Sequence, residues 1–433
     1  MSTMRRSALV ALSLAVLLTA ATAGPAAAVP RTPAGGPAGG GACAGVDEAT
    51  GGPRDRTPIS ANLLRRCLRL NQMQVIGTHN SYRGPVPPEI LAAIASAVGP
   101  ALASELEYSH VPLTAQLDEQ EVRQIELDVF ADPQGGLYSG RLGLDLVGLP
   151  NVTPPELEAP GFKVLHIQDL DFNSSCLTFV ACLDEVEEWS DAHRGHLPIA
   201  ILVELKDSSI GAPFVAPLPI GAPELDALDA EIRSVFSEEQ LITPDDVRGV
   251  QPTLEAAVRS GGWPTLREAA GKVLFLMDNG GRYRDLYRSG APSLEGRVLF
   301  TNSTPGSPDA AFVKVNESVD NVDKIQQLVE EGYVVRTRAD EPTVEARNGD
   351  TTRRDAALAS GAQWVSTDYP TPGSSPFSAY FAAIPDGSPA RCNPVNTGPR
   401  CHGELLEVGS GSSRSAVGGA ERAVDEAGRP RRG

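Results

Sequence analysis

Two histidines stand at the ends of short apolar segments, where a side chain can reach a pocket. His79 follows residues 74–78, and His166 follows residues 164–165. The ordinary pKa of histidine lies near neutrality, so a histidine in a pocket can transfer protons and, when charged, can stabilise a phosphorane-like transition state. None of the other four histidines ends an apolar segment. A lone histidine is usually a hydrogen-bonded core residue, but these two as a pair predict catalysis.

Carboxylates alternate with apolar residues in two further segments. A period of two places Glu126 and Asp128 on one face of a predicted strand, and Glu204 and Lys206 share a face of another. Carboxylates on an inward face repel each other unless a cation lies between them. Calcium binds six to eight oxygen atoms, and these three carboxylates and the amide oxygen of Asn80 supply several of them. We therefore predict a calcium site, which magnesium fits less well.

Other charged residues are candidates for contact with a substrate. Lys206 is predicted to contact a substrate phosphate, or else to form a structural ion pair with the acids beside it. Arg336 and Arg338 share a face of a later segment, where they bind a substrate phosphate or else neutralise an acidic interior. Asp278 ends another apolar segment and is a further candidate substrate ligand, and Asp368 follows the last such segment.

Short segments rich in Val, Ile and Leu alternate with helical patterns along the middle of the chain. The predicted strands are 74–77, 125–130, 164–168, 199–205, 273–277, 297–301, 333–338 and 364–367. The predicted helices include 88–107, 177–193, 223–236, 319–331 and 351–360. This alternation favours an α/β fold, a single-domain TIM-type (β/α)8 barrel whose site lies at the carboxyl ends of the strands. The alternative is an open doubly wound sheet, which no Gly-x-Gly-x-x-Gly fingerprint supports.

The two ends of the chain differ in composition from the middle. Residues 1–28 contain paired arginines, a short apolar run and small residues, which predict a signal peptide and a secreted protein. Residues 29–54 are predicted to form a linker rich in Pro, Gly and Ala, residues 55–402 the barrel, and residues 403–433 a disordered tail. No later segment is apolar for long enough to predict a membrane span.

The six cysteines fall into three pairs that are close in sequence: Cys43 with Cys67, Cys176 with Cys182, and Cys392 with Cys401. In an exported chain this spacing predicts three disulfides, although six cysteines allow fifteen connectivities. A zinc site is the alternative, but no pair has the C-x2-C spacing and the histidines are scattered. The net charge of -18 would repel a phosphate backbone, so nucleic acid is not an expected partner.

Residues 71–82, which end in His79-Asn80-Ser81-Tyr82, together with Glu126-Leu127-Asp128, His166 and Glu204, resemble a known family. They are similar to the catalytic domain of calcium-dependent, phosphoinositide-specific phospholipases C, in the secreted actinobacterial branch. The likeness spans about residues 71–370.

The resemblance implies roles for these residues. His79 and His166 would flank the substrate phosphate, and calcium would be held by Asn80, Glu126, Asp128 and Glu204. The resemblance also implies that the inositol 2-hydroxyl attacks phosphorus, that diacylglycerol leaves, and that a cyclic inositol phosphate forms. A carboxylate ligand such as Glu126 can take the hydroxyl proton, and a histidine can protonate the leaving oxygen.

The sequence also departs from this family. Eukaryotic members carry lysines for the ring phosphates in the strand that corresponds to residues 271–279, where this chain has Leu and Asp278. We therefore expect plain phosphatidylinositol, or a related phosphodiester, as the substrate. Adjacent strand residues face opposite ways, so His79 and Asn80 can serve one site only if the chain turns at Asn80.

Two other functions fit parts of the pattern. A glycerophosphodiester phosphodiesterase shares the barrel, the acids and the histidines, and the segment from Thr367 to Pro370 resembles its ending, but Asn80 stands where that group usually has Arg. A secreted barrel that binds calcium or inositol without turnover is the second alternative. We expect a monomer, and we expect the apolar, Pro-rich segment 210–220 either to touch a membrane surface or to form a lid on the barrel.

Overall fold

The computed structural model of the protein describes Cys43 and residues 60–385 and 389–407. The predicted signal peptide, the predicted linker apart from Cys43, and residues 408–433 lie outside the described residues. The described chain continues past residue 402 with a short 3-10 helix, Gly403–Leu405, and with Leu406, which is buried.

Within the described residues, ten strands form one sheet. They are β1 (Met73–Thr78), β2 (Gln124–Phe130), β3 (Lys163–Val164), β4 (Ile199–Leu205), β5 (Val273–Met277), β6 (Leu299–Thr301), β7 (Phe312–Lys314), β8 (Val334–Arg338), β9 (Trp364–Thr367) and β10 (Ala390–Cys392). Eight of these are parallel neighbours in the order β6-β5-β4-β2-β1-β9-β8-β7. A parallel bridge between Asn302 and Phe312 links β6 to β7, so the barrel is nearly closed. The predicted TIM-type barrel is confirmed.

One predicted barrel strand is wrong. Of the segment 164–168, only Val164 belongs to a strand, and β3 runs antiparallel to the end of β2 outside the barrel order. His166 lies in a turn instead, where its N–H donates to the carbonyl of Asp171 over 3.2 Å. The turn forms because Asp169 adopts a φ of 67° and accepts from the backbone N–H groups of Leu142 and Val215. The missing barrel strand is β7, which is only three residues long.

The α-helices of the described chain lie between the strands, apart from α1, which precedes β1. They are α1 (Ala61–Cys67), α2 (Pro88–Val98), α3 (Pro100–Glu105), α4 (Leu113–Asp118), α5 (Leu142–Val147), α6 (Phe179–Ala192), α7 (Ala222–Val235), α8 (Pro244–Arg248), α9 (Leu254–Arg259), α10 (Gly281–Tyr287), α11 (Val322–Glu330), α12 (Val344–Asn348) and α13 (Thr352–Ala359). The predicted helices near α6, α7, α11 and α13 are confirmed. The predicted helix 88–107 is divided at Gly99, whose φ of 103° is a conformation that L side chains rarely adopt.

The main core lies between the strands and the helices that cover them. On β2, Ile125, Leu127 and Val129 join this core, so the alternating Glu126 and Asp128 face the inside of the barrel. All three predicted disulfides are confirmed, joining Cys43–Cys67, Cys176–Cys182 and Cys392–Cys401. Within the described residues, the structure contains no helix that is both long and apolar enough to cross a bilayer.

Candidate active site

The chain turns where β1 ends, as it must if the side chains of His79 and Asn80 are to reach the same site. The backbone N–H of His79 still donates to Thr367 on β9 over 3.2 Å, but Asn80 has a φ of 49°. After Asn80, the backbone N–H of Ser81 donates to the carbonyl of Glu126 on β2 over 3.0 Å. Asparagine tolerates this left-handed conformation better than most residues. The turn therefore allows two consecutive side chains to serve the same end of the barrel.

Three carboxylates meet at this end of the barrel. Oxygen atoms of Glu126, Asp128 and Glu204 lie within 4.8 Å of one another, because Asp128 and Glu204 are directly opposite each other on β2 and β4. Glu126 and Asp128 are buried, and Glu204 is half-buried. Burial raises the pKa of Asp128 well above its usual value, and Lys206 offsets only part of the rise. Burial also raises the pKa of Glu126 to about 7, although Arg336 opposes the rise.

Three buried oxygens at this end of the barrel have no hydrogen-bond partner in the described part of the chain. They are Oδ1 and Oδ2 of Asp128 and Oδ1 of Asn80, and the other end of the Asn80 amide donates to the hydroxyl of Tyr108 over 2.8 Å. A buried oxygen without a hydrogen bond is costly, so a site that has these three oxygens and the carboxylates of Glu126 and Glu204 fits a hard cation. The four residues predicted to bind calcium therefore have the chemistry that calcium requires.

Basic side chains surround the carboxylates. The Nζ of Lys206 lies 3.2 Å from Asp128 and 3.4 Å from Glu204. Burial lowers the pKa of Lys206, but Asp128 and Glu204 outweigh this effect and raise the net pKa above its usual value. Asp278, at the end of β5, pairs with Lys314 of β7 over 2.5 Å. The predicted ion pair of Lys206 with the acids is thus present.

The two arginines of β8 make contacts inside the protein. Arg336 is buried and donates from Nη2 to Glu126 over 2.5 Å, from Nη1 to Asn316 over 2.6 Å and from Nε to Ser366 over 2.9 Å. Arg338 is also buried and donates to Asp368 over 3.1 Å. Each arginine therefore holds an acid of the site in place.

His79 is paired with Asp368, the residue that follows β9. Its Nδ1 lies 3.0 Å from Asp368 and 3.3 Å from the hydroxyl of Tyr108. Burial lowers the pKa of His79 to about 3, and Arg338 lowers it further, while Asp368 opposes the change. Burial raises the pKa of Asp368, but His79 and Arg338 outweigh it, so the net pKa is low and the carboxylate is ionised. An ionised carboxylate only accepts, so Nδ1 carries the hydrogen and Nε2 of the neutral ring is an acceptor.

His166 has the same kind of partner. Its Nδ1 lies 2.7 Å from Oδ2 of Asp171, and burial lowers its pKa, although the hydrogen bond to Asp171 opposes this. Asp171 also accepts from Nε of Arg83 over 2.7 Å. Arg83 is fully buried, and it donates to the carbonyls of Leu106 and Tyr108 as well. In the part of the chain that the structure describes, Nε2 of His79 and Nε2 of His166 make no hydrogen bond.

Several residues of this site escaped prediction. Asp171, Arg83 and Tyr108 come from loops, where neither period nor apolar neighbours mark them. Lys314 and Asn316 follow a period of two in the segment that contains β7, and that alternation is the signal that could have revealed them.

A family model described as Phosphoinositide phospholipase C, Ca2+-dependent, matches residues 68–394. This span contains all ten strands and every candidate site residue. No curated protein matches the chain. Among solved structures, the chain is similar to a calcium-dependent phosphoinositol-specific phospholipase C from a Gram-negative bacterium, Pseudomonas sp., with 15% identity, a TM-score of 0.46, and coverage of 76% of this chain and 96% of that chain. It is also similar to a Ca2+-dependent phosphatidylinositol-specific phospholipase C from Streptomyces antibioticus, with 20% identity, a TM-score of 0.43, and coverage of 70% and 95%.

Proposed function

The chain belongs to the Ca2+-dependent phosphoinositide phospholipase C family, and from this premise we propose that it cleaves phosphatidylinositol to diacylglycerol and a cyclic inositol phosphate. One observation supports this proposal above the others. The carboxylates of Glu126, Asp128 and Glu204 lie within 4.8 Å of one another at the barrel end that also carries His79, paired with Asp368. A cation site beside a histidine suits displacement at a phosphodiester.

The family is calcium-dependent, and the acidic cluster is able to hold a metal ion. We assign Asn80, Glu126, Asp128 and Glu204 as the residues that would hold calcium. Calcium bound there would lower the pKa of the attacking hydroxyl and would offset negative charge on the phosphate.

The proton transfers can be assigned to side chains of this chain. As the inositol 2-oxygen forms its bond to phosphorus, Glu126, one of the three carboxylates that meet at the site, takes the hydroxyl proton. As the bond from phosphorus to the diacylglycerol oxygen breaks, His166 gives that oxygen a proton from Nε2. The negative charge of the bound phosphodiester favours the protonated ring that this step needs.

The other candidate residues bind the substrate or position other side chains of the site. His79 faces the phosphate and stabilises the charge that develops there. Lys206 keeps its charge between Asp128 and Glu204 and has one donor left for a phosphate oxygen. Asp278, which is paired with Lys314, would accept from ring hydroxyls of plain phosphatidylinositol. Arg336 and Arg338 were predicted either to bind substrate or to neutralise an acidic interior, and their hydrogen bonds to Glu126 and Asp368 support positioning roles.

A change of leaving group tests these assignments. His166→Ala should slow phosphatidylinositol cleavage by about 10²- to 10⁴-fold, because it removes the general acid. The same variant should cleave p-nitrophenyl inositol phosphate nearly as fast as the wild type, because p-nitrophenolate leaves without a proton. His79→Ala is the matched comparison and should be slow on both substrates. Equal losses for His166→Ala on both substrates would remove the general-acid assignment.

Calcium removal and product analysis test the reaction as a whole. A calcium chelator should abolish cleavage, and added calcium should restore it. Diacylglycerol with a cyclic inositol phosphate is the expected product pair, whereas a glycerophosphodiester phosphodiesterase would release glycerol phosphate and a free alcohol. Full activity in chelator, or the second product pair, would contradict the proposal.

We also propose that the protein is secreted, which the three disulfides support, because disulfides persist in oxidising compartments. Membrane contact through the segment 210–220 remains a proposal. Within this segment Ile220 is buried and Val215 packs beside Phe130 and Leu165, so only part of it is available. Leu218 is 38% exposed and is the large apolar side chain that would reach a lipid surface.

A further inference from the structure

Tyr108 lies in the loop between α3 and α4 and contacts both residues that follow β1. Its hydroxyl accepts from Nδ2 of Asn80 over 2.8 Å and lies 3.3 Å from Nδ1 of His79. The rings of Tyr108 and His79 are stacked, with centroids 5.8 Å apart and planes at 27°. Tyr108 is buried. A loop outside the strand order of the barrel thus reaches a candidate calcium ligand and a candidate catalytic histidine with one side chain.

Several contacts hold this loop in place. Arg83 donates to the carbonyls of Leu106 and Tyr108, and its guanidinium carbon lies 4.2 Å from the centroid of the Tyr108 ring. The backbone N–H of His110 donates to the carbonyl of Arg83 over 2.9 Å. Nε2 of His110 donates to the carbonyl of His79 over 2.8 Å, since a carbonyl only accepts. Contacts before and after Tyr108 therefore fix its hydroxyl relative to the end of β1.

The backbone at Asn80 is fixed, but backbone bonds do not orient its amide group. The carbonyl of Asn80 accepts from the N–H of Arg83 over 2.9 Å, and the N–H of Ser81 donates to Glu126. The last torsion of an asparagine side chain has only a broad preference. One end of the amide is an oxygen and the other carries two N–H donors, whereas calcium binds oxygen ligands. Rotation of this group therefore decides whether Asn80 offers calcium a ligand.

We propose that Tyr108 is a positioning residue that selects the calcium-binding orientation of the Asn80 amide, and this inference rests on the proposed function. The hydroxyl of Tyr108 accepts from Nδ2, which leaves Oδ1 buried and without a hydrogen-bond partner among the described residues. The opposite orientation would present N–H donors, which do not bind a cation. Side chains that orient a metal ligand in this way commonly contribute as much to metal affinity as a weak ligand does. Tyr108 therefore sets calcium affinity through Asn80.

Calcium titration of the full chain by isothermal calorimetry, without lipid or substrate, tests this role without any need for turnover. Tyr108→Phe keeps the ring beside His79 and Arg83 and removes only the hydroxyl. It should raise the Kd for calcium by about 10- to 100-fold. Tyr287→Phe is the matched control, because Tyr287 is also buried and its hydroxyl donates to Asp229 over 2.6 Å, outside the candidate site. This variant should be less stable in urea but should bind calcium like the wild type.

Asn80→Asp provides a background in which the hydroxyl should no longer matter. Both ends of a carboxylate are oxygens, so either rotation of the group presents a ligand. Adding Tyr108→Phe to Asn80→Asp should therefore leave the Kd for calcium nearly unchanged, so the two changes should not be additive. At saturating calcium, kcat of Tyr108→Phe should return close to the wild-type value, because Asp368 still holds Nδ1 of His79.

Four outcomes would overturn the positioning role. They are a wild-type Kd in Tyr108→Phe, an equal rise of Kd in Tyr287→Phe, the full effect of Tyr108→Phe in the Asn80→Asp background, and a low kcat at saturating calcium with a normal Kd. The last result would mean that Tyr108 acts through His79 instead. Failure of the proposed function would appear separately, as a wild-type protein that binds calcium but releases no diacylglycerol from phosphatidylinositol.

Discussion

The two candidate catalytic histidines have the same kind of partner, but different parts of the fold supply it. His79 is paired with Asp368, which lies 289 residues away in sequence and follows the adjacent strand β9. His166 is paired with Asp171, only five residues away in the same turn. The first pair is therefore aligned by the register of the barrel. The second is aligned by a loop and by Arg83, which reaches Asp171 from the segment after β1.

This difference separates two ways in which a barrel builds a site. Strand register is cooperative, since moving Asp368 would mean moving β9 against β1. A turn has no such constraint. Here the buried guanidinium of Arg83 supplies one, because it holds Asp171 and the carbonyls of Leu106 and Tyr108 together. The His166 side is therefore the part of the site that depends most on side-chain contacts.

Replacing Asp368 or Asp171 with asparagine should have the largest effect on kcat and should distinguish the two histidine–aspartate pairs. Asp368→Asn and Asp171→Asn should each lower kcat on phosphatidylinositol by about 10³-fold, because the histidine loses the partner that fixes its tautomer. Only Asp171→Asn should recover with the p-nitrophenyl leaving group, because it acts through His166. The measurement is kcat on both substrates.

Asp229→Asn is the matched control for this comparison. Asp229 is buried and accepts from Tyr287 over 2.6 Å, outside the candidate site, so its replacement should leave kcat unchanged. If Asp368→Asn recovered with the better leaving group and Asp171→Asn did not, the two histidines would have exchanged roles.

A third histidine, His196, is an example of a histidine whose hydrogen bonds are purely structural. The Nδ1 of His196 lies 2.6 Å from the carbonyl of Leu197, and its Nε2 lies 2.7 Å from the hydroxyl of Ser190. A carbonyl only accepts, so Nδ1 carries the hydrogen and Nε2 accepts from Ser190. Both nitrogens of the neutral ring are satisfied, and neither is left for a substrate.

His196 should therefore affect stability and not catalysis. Burial lowers its pKa to about 4, from a usual value of 6.5. Between these two pH values the unfolded chain is protonated at His196 and the folded protein is not. The free energy of unfolding therefore falls as the pH drops from 6.5 to about 4. The loss from this group should reach about 3 kcal/mol, since one pKa unit corresponds to about 1.4 kcal/mol.

The measurement is the free energy of urea unfolding at pH 7 and at about pH 4. His196→Gln should lose about 3 kcal/mol less than the wild type between these conditions, and its kcat should stay unchanged. Identical pH dependence of the two proteins would mean that His196 is not held neutral, and a fall in kcat would place it in the site.

The comparison of the two pairs also explains which parts of the structure the sequence could predict. The alternation of Glu126 and Asp128 with core residues on β2 was predicted and is confirmed, because the strand period fixes which side chains face inward. The turn at Asn80 was required by the prediction and is present. Asp368 was noticed because it follows an apolar strand, although its pairing with His79 depends on how β9 lies beside β1.

The parts that escaped prediction depend on local turns and on contacts between distant loops. His166 was placed on a strand because Val164 and Leu165 precede it, but Asp169 turns the chain instead. The sequence does not mark Asp171 as a site residue, because only the fold brings Arg83 to it. Strand β7 is absent from the predicted strands because it is only three residues long, although the alternation of apolar residues with Lys314 and Asn316 marks its segment.

The smallest expected effect concerns the disulfide beside the His166 turn. Cys176 and Cys182 are six residues apart, and Cys392 and Cys401, where β10 pairs with β1, are nine apart. Replacing either pair with serine should cost about 2 kcal/mol of unfolding free energy, because both disulfides close short loops. Only the first pair is linked to the segment that supports the turn, because Ser175, next to Cys176, donates to the carbonyl of Tyr82, next to Arg83, over 2.8 Å. Its loss should therefore lower kcat a few-fold as His166 loosens, while the second pair should leave kcat unchanged. Equal effects of the two pairs on kcat would mean that Arg83 and Asp171 alone hold the turn.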